Sequence, residues 1–350
     1  MKKKFSIDGI QIGDGQPVFV IAEAGVNHNG DVDLAKRLIH EAQKVGADCV
    51  KFQTFNAERV VTQNAPKAAY QINNTDPKES QINMLRKLEL PLQSYPELIK
   101  LCRKLGVVFL STPYNVEDID FLDNMGVTAY KLASIHLVEP YIIQYVASKG
   151  KPMIVSTGMA TQAEVEQAVA TLNRSGNDQF VLLQCTTDYP SALEDTNLLA
   201  MQTMREAFDT LVGYSDHTQN LTAATVAIGL GACVIERHFT LDRSLPGPDH
   251  SCSSEPEEFR QLVKQIREAE ICLGSRLKSP TERELKNARI MRRSLVARHA
   301  IPAGTKLSWH NLTFKRPADG LSGQQADLIL GKTARCKIDA DQIITLDMIK

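Results

Sequence analysis

Eight times along this chain a short, β-prone apolar run ends in polar, reactive residues, and a helical stretch usually follows. The first three are residues 18–22 before Glu23, 47–50 before Lys51 and Gln53, and 107–110 before Ser111 and Thr112. Next come 128–130 before Lys131, 152–155 before Ser156, and 180–183 before Gln184 and Cys185. Residues 211–214 lead to Ser215, Asp216 and His217, and 233–235 lead to Glu236 and His238. A (β/α)8 barrel has this signature, because its active site gathers at the C-terminal ends of its parallel strands. The expected fold class is α/β, a (β/α)8 TIM barrel. The chain then reads as an enzyme whose site residues follow the runs.

A barrel takes about 250 residues, and the chain has 350, so a smaller module must accompany it. We place the barrel at residues 1–278, a polar linker at 279–290 and the module at 291–350. The module carries short strand-like runs with turn signals, among them residues 294–297, Ile301-Pro-Ala-Gly-Thr and residues 307–312, and reads as β-rich. Between the barrel runs the helices are plain. In Asp31-Val-Asp-Leu-Ala-Lys-Arg-Leu-Ile-His-Glu-Ala-Gln-Lys-Val-Gly46 an aspartate caps, an apolar stripe follows and Gly46 stops it. One connection breaks the rhythm. Residues 54–90 are long, polar and rich in Asn and Gln, as functional lids and insertions are.

A net charge of −1 gives no global attraction to nucleic acid or anionic lipid, so any anionic substrate must be caught by local cations. The seven cysteines are scattered without a C-x-x-C pair, which favours a reducing cytoplasm over a disulfide framework. Met1-Lys-Lys-Lys is not followed by the apolar core of a signal peptide, and no run is long enough to cross a membrane. The expected location is cytoplasmic.

His217 and His238 follow adjacent candidate strands, whose ends lie about 5 Å apart. Both imidazoles could reach one Mn, Fe or Zn ion acting as a Lewis acid, or they are hydrogen-bonded structural histidines. Lys51 and Lys131 follow apolar strand residues, with Ser134, Ser156, Thr157 and Ser215 at equivalent ends. Such a set suits phosphate or carboxylate. Snorkelling to the rim and Schiff-base chemistry are the alternatives. Glu23, Asp216, Glu236 and Asp249 are candidates for proton transfer or for orienting neighbours. Pro246-Gly-Pro-Asp-His-Ser presents Asp249 and His250 on a rigid loop or forms a plain turn.

The motifs together resemble a known family. They are Ile21-Ala-Glu-Ala-Gly-Val-Asn-His-Asn-Gly, Val50-Lys-Phe-Gln-Thr, Phe109-Leu-Ser-Thr-Pro, Ile154-Val-Ser-Thr-Gly-Met-Ala, Gln184-Cys-Thr-Thr-Asp-Tyr-Pro, Gly213-Tyr-Ser-Asp-His-Thr, Ile235-Glu-Arg-His-Phe-Thr-Leu-Asp and Gly247-Pro-Asp-His-Ser. Over nearly the whole chain they are similar to the sialic acid synthases, which make N-acetylneuraminate, legionaminate and pseudaminate. The tail, with Leu295-Val-Ala and Lys315-Arg-Pro, resembles that family's antifreeze-like (SAF) module. The resemblance implies condensation of phosphoenolpyruvate with an open-chain 2-acetamido sugar and release of phosphate. It implies that His217 and His238 hold a divalent metal, most often Mn2+. It places the phosphoenolpyruvate carboxylate on Lys51 and Thr112, and its phosphate on Lys131, Ser134, Ser156, Thr187 and Ser215. Gln53, Tyr189 and Asp249 would face the sugar. Arg316 would reach its acetamido group from a second subunit, in a homodimer with exchanged tails.

The chain departs from the family at Thr187, a shorter phosphate donor where relatives often carry asparagine, and more consequentially at one other point. Where relatives carry a glutamate after the fourth-strand lysine, the run here is Lys131-Leu-Ala-Ser-Ile-His136. His136 is therefore expected to touch the sugar or the reacting carbons and to relay a proton, with Glu23 and Asp249 as the other catalytic groups. Together with residues 54–90 it is where the choice of sugar is expected to be made. The competing readings are a Schiff-base pyruvate aldolase and a sugar-binding or regulatory protein that has lost catalysis.

Overall fold

A computed structural model describes residues 3–350. The chain divides between Gly274 and Ser275 into two compact units.

In the first unit a hairpin of β1 (Lys4–Ile7) and β2 (Ile10–Gly13) precedes eight parallel strands. These are β3 (Phe19–Gly25), β4 (Cys49–Thr54), β5 (Val108–Pro113), β6 (Tyr130–Leu132), β7 (Met153–Ser156), β8 (Phe180–Cys185), β9 (Leu211–Asp216) and β10 (Val234–His238). They pair in the order β5-β4-β3-β10-β9-β8-β7-β6. β5 and β6, at the two ends of that order, also touch, so the barrel is nearly closed. The eight runs of the sequence are these eight strands. Each continues past its apolar part into the polar residues, because ladder hydrogen bonds do not depend on side-chain polarity and those side chains face a cavity.

Helices cover the barrel. Val32–Lys44 begins where the Asp31 carboxylate accepts from the Asp33 and Leu34 amides at 2.7 and 3.1 Å, and it buries Ala35, Leu38, Ile39 and Ala42. The long connection after β4 forms three short helices, Ala57–Val60, Ala69–Asn74 and Gln81–Leu88, before the covering helix Tyr95–Leu105. It has a small core of its own in Phe55, Met84 and Leu88, with Val26. The Asn74 amide donates to the Pro248 carbonyl at 2.8 Å and pins the insertion to the loop carrying Asp249.

In the second unit, helix Glu282–Met291 occupies most of the segment read as a polar linker. β11 (Ser294–Ala297) and β12 (Leu312–Lys315) then pair antiparallel. They pack with Ile301, Leu307, Ile329, Ile338 and Ile344 around a separate core. Arg316, just past β12, is exposed.

Candidate active site

Strand side chains alternate between two faces, so parity decides what enters the barrel. In β4, Val50 and Phe52 pack outward under the helices, whereas Cys49 joins the barrel interior. Lys51 and Gln53 share the parity of Cys49 and line a cavity of about 260 Å³ at the C-terminal strand ends. The same rule lifts Glu23 above Phe19 and Ile21, Thr112 above Val108 and Leu110, and Lys131 above Ala129. It sets Ser156 above Ile154, Ser215 and His217 above Leu211, and Glu236 and His238 above Val234. Ser134, Tyr189 and Asp249 join them from loops.

The floor is a chain of alternating charges. Lys51 Nζ lies 2.7 Å from Glu23 Oε2 and 3.8 Å from Glu236 Oε2, and Lys131 Nζ lies 3.1 Å from Glu236 Oε1. Lys51 also donates to Thr112 Oγ1 at 3.2 Å, and Ser215 Oγ to Glu236 Oε1 at 2.8 Å. All four charged residues are buried, with Glu236 the most exposed at 4%. Burial works to raise the Glu236 pKa, but Lys131 and Lys51 overcome it and hold the carboxylate at about 2. Burial likewise opposes the charge on Lys51, yet Glu23 and Glu236 raise its pKa above the ordinary lysine value. Glu23 goes the other way: burial raises it, and the attraction of Lys51 only partly compensates. Unpaired, each such ion would cost several kcal/mol to bury.

Hydroxyls ring one side. The Ser156 hydroxyl is buried without a hydrogen-bond partner. The Gly158 amide donates to Ser134 Oγ at 3.0 Å, and a Cβ on Gly158 would stand 2.8 Å from that oxygen and 2.3 Å from Thr187 Oγ1. Only glycine lets the backbone pass so close to these hydroxyls. Thr187 itself sits at the exposed edge and does not line the cavity.

The two histidines face each other, ring centroids 5.4 Å apart. His217 Nδ1 lies 2.6 Å from the Thr186 carbonyl, which can only accept, so Nδ1 carries a proton, while Nε2 lies 3.5 Å from Ser215 Oγ. His238 Nδ1 is buried, has no hydrogen-bond partner and lies 3.7 Å from Asp249 Oδ2. Burial and the neighbouring His217 push the His238 pKa well below the usual value and keep it neutral. Burial and the Glu23 carboxylate raise Asp249 to about 7. The Tyr189 ring covers both imidazoles, at 4.2 Å from His217 and 5.5 Å from His238. Among the described residues no group of three or more His, Cys, Asp and Glu side chains converges as a metal cluster. The two facing imidazoles and the Tyr189 ring over them stand together at the cavity wall.

Not every candidate enters the cavity. Asp216 pairs with Arg237 at 2.7 Å on the buried outer face of the strands. His250 bonds Thr240 at 2.6 Å. His136 does not reach the cavity: it is fully buried, edge-on to the Tyr114 ring at 5.6 Å, while the half-exposed Ile135 lines the cavity instead. The tight turn Ser134–Val138 turns consecutive side chains to different sides, and burial lowers the His136 pKa to about 4. His136 is thus not among the residues that line the cavity.

Sequence reading undervalued other residues. Glu236 was only one of four carboxylates, although its shared parity with His238 pointed it inward. Cys185, one of the scattered cysteines, lies 3.9 Å from His217 Nδ1 and 3.8 Å from Ser134 Oγ. Tyr70, Gln81 and Leu85 line the cavity from the insertion, where no strand parity marks them.

Comparison with known proteins now decides the family. The NeuB family model matches residues 38–278, and the SAF domain model residues 292–350. The chain belongs to the NeuB family. The N,N'-diacetyllegionaminic acid synthase of Campylobacter jejuni is 44% identical over 327 residues, covering 93% of this chain and 98% of that one. The synthase of the same name from Legionella pneumophila is 42% identical, covering 98% of each chain. The crystal structure of N-acetylneuraminic acid synthetase from Leptospira borgpetersenii superposes with a TM-score of 0.74 at 32% identity, covering 82% of this chain and 95% of that one. This NeuB-family chain is thus an enzyme of nonulosonic acid synthesis, a phosphoenolpyruvate-dependent transferase that forms a C–C bond.

Proposed function

We propose that the enzyme condenses phosphoenolpyruvate with the open-chain aldehyde of N-acetylmannosamine or a related 2,4-diacetamido hexose, giving a sialic-type acid and phosphate. The observation that carries this reading is the burial of Lys51 and Lys131 among hydroxyls, next to two facing histidines. Phosphoenolpyruvate would set its carboxylate on Lys51 and Thr112. Its phosphate would lie on Lys131, Ser134, Ser156 and Ser215, with Thr187 at the edge. Gln53 bridges Glu23 and Tyr114, with distances of 3.2 and 3.0 Å, so its amide is held ready to face the sugar beside Tyr189 and Asp249.

The residues fit a divalent cation, for which we propose Mn2+: His217 Nε2 makes only a long 3.5 Å contact with Ser215 Oγ, and His238 Nδ1 is orphaned. Bound there by His217 and His238, such an ion supplies Lewis-acid polarisation of the aldehyde carbonyl. The remaining chemistry belongs to the chain. The methylene carbon of phosphoenolpyruvate bonds to the aldehyde carbon, a proton reaches the aldehyde oxygen, water adds at the enol carbon and phosphate departs. Asp249, raised to about 7, and the raised Glu23 are placed to hold and move those protons. Lys131 and the serine hydroxyls stabilise the departing phosphate.

A Schiff base at Lys51 is disfavoured, because its pKa is raised rather than lowered and the amine stays protonated. A binding protein without catalysis would have no use for two costly buried cations. We further propose a cytoplasmic homodimer in which the tail of one protomer, through Arg316, reaches the sugar in its partner. No helix among the described residues is long and apolar enough to cross a membrane. Phosphate release over a panel of 2-acetamido and 2,4-diacetamido hexoses with Mn2+ tests the reaction. Covalent trapping of pyruvate by borohydride, without phosphate release, would replace it with the aldolase.

A further inference from the structure

The motif that contains Glu23 runs on as Val-Asn-His-Asn-Gly, and the condensation uses none of those residues. Asn27, at 1% exposure, is buried just past the end of β3. Its Nδ2 donates to the Phe239 carbonyl at 2.9 Å and to Ser253 Oγ at 2.8 Å. The fully buried Ser253 hydroxyl donates in turn to the Asp249 carbonyl at 2.6 Å.

The directions in this chain are fixed. A primary amide has two N–H donors, and both are used. Turned over, it would set its own carbonyl oxygen against that of Phe239, acceptor facing acceptor. The Asp249 carbonyl can only accept, so the single Ser253 proton goes there and Ser253 must receive from Asn27. Cys252 Sγ, 3.1 Å from the same carbonyl, is a weak donor beside it.

Asn27 thereby ties the loop of Asp249 to the end of β10. Phe239 directly follows His238, and its amide donates to the Glu23 carbonyl at 2.7 Å. Asp249 belongs to no strand, yet its Oδ2 stands 3.7 Å from His238 Nδ1. Asn29 holds the far side of the loop, its Nδ2 donating to the Pro246 carbonyl at 2.8 Å.

We propose that Asn27 is a positioning residue, which through Ser253 and the Phe239 carbonyl holds Asp249 at His238 for the proton transfers of the condensation. Asn27 does not line the cavity, so its effect runs through Asp249. This rests on the condensation reading.

The test compares Asn27→Ala and the milder Ser253→Ala with the wild-type full-length enzyme, by phosphate release with Mn2+ on an acceptor hexose that wild type turns over. Asn27→Ala should lower kcat by roughly ten- to a hundredfold, the effect of displacing a reacting group by about 1 Å. The KM for phosphoenolpyruvate should stay within about threefold, because the lysines are untouched. Asp249→Asn keeps the backbone carbonyl and removes the carboxylate, so Asn27→Ala added to it should lower kcat by less than about threefold further. An asparagine that only supports the fold would give the same loss in both backgrounds. That result, or an unchanged kcat in both alanine variants, would overturn the proposal, and if Asn27→Ala does not fold, Ser253→Ala decides by the same comparison. No phosphate release by wild type from any acceptor would sink the condensation reading itself. In that case, or if Asp249→Asn leaves no measurable rate, the crystal structure of the folded alanine variant decides. Displacement of Asp249 from His238 by about 1 Å or more would uphold the positioning role, and a smaller one would refute it.

Discussion

The two ends of the barrel interior are made by the same strands and could hardly differ more. At the N-terminal end Phe5, Ile7 and Ile12 of the hairpin pack onto Phe19, Ile21, Leu110, Val181 and Leu211. One or two inward positions further along, the same strands present Glu23, Lys51, Thr112, Lys131, Ser215 and Glu236. The lower layers gain stability by removing apolar area from water. The upper layer holds ions that are tolerable only because they neutralise one another. Stability and chemistry are therefore stacked along each strand, and substitutions in the two layers should fail in different ways.

The sharpest break comes at the histidines. His217→Ala and His238→Ala should abolish turnover while leaving the thermal unfolding midpoint close to wild type. Exhaustive chelation should do the same to the native enzyme, with Mn2+ restoring it; full activity in a sample shown by elemental analysis to be metal-free would sink the metal assignment.

Below them the contrast turns into energies. Leu110→Ala, in the apolar layer, should lower unfolding free energy by about 2–5 kcal/mol and leave the KM for phosphoenolpyruvate nearly unchanged. Lys51→Ala and Lys131→Ala should reverse that pattern, weakening phosphoenolpyruvate by roughly ten- to a hundredfold, about 1.5–3 kcal/mol, with little effect on the sugar. Denaturant titration beside steady-state kinetics separates the two, and a Lys131→Ala enzyme with normal phosphoenolpyruvate kinetics would break the comparison.

A smaller, partial effect is expected from the tail. Mixing Arg316→Ala subunits with His217→Ala subunits should recover some activity, because one kind of site in the mixed dimer carries neither change. No recovery in verified heterodimers would place closure within one chain.

The smallest effect concerns His136. Its pKa is lowered to about 4 by burial, as is that of the fully buried His28. Above about pH 6.5, the ordinary histidine value, both are neutral in the folded and unfolded states and contribute nothing. As pH falls from there toward about 4, the unfolded chain takes up protons that the folded chain refuses, so stability declines by up to about 3 kcal/mol for each group. His136→Gln should flatten that decline in acid unfolding and leave the pH–rate profile without any change near pH 6.5. A kinetic limb there that disappears in the variant would restore His136 to the chemistry.

Much of this molecule can be read before it folds. Eight apolar runs with polar ends specify the strands, and strand parity then selects Glu23, Lys51, Lys131, Ser215 and His238 as inward, since a β-strand repeats every two residues whatever its surroundings. The family motifs cover the same positions. Two things escape such reading. His136 sits in a short turn with no such period, and only the packing against Tyr114 sends it away from the cavity and gives that place to Ile135. The insertion looks polar in sequence, yet its few apolar residues gather into one wall beside Gln81. Local periodicity determined the barrel and its ionic floor; tertiary packing, which brings together residues with no fixed spacing, decided what the floor faces.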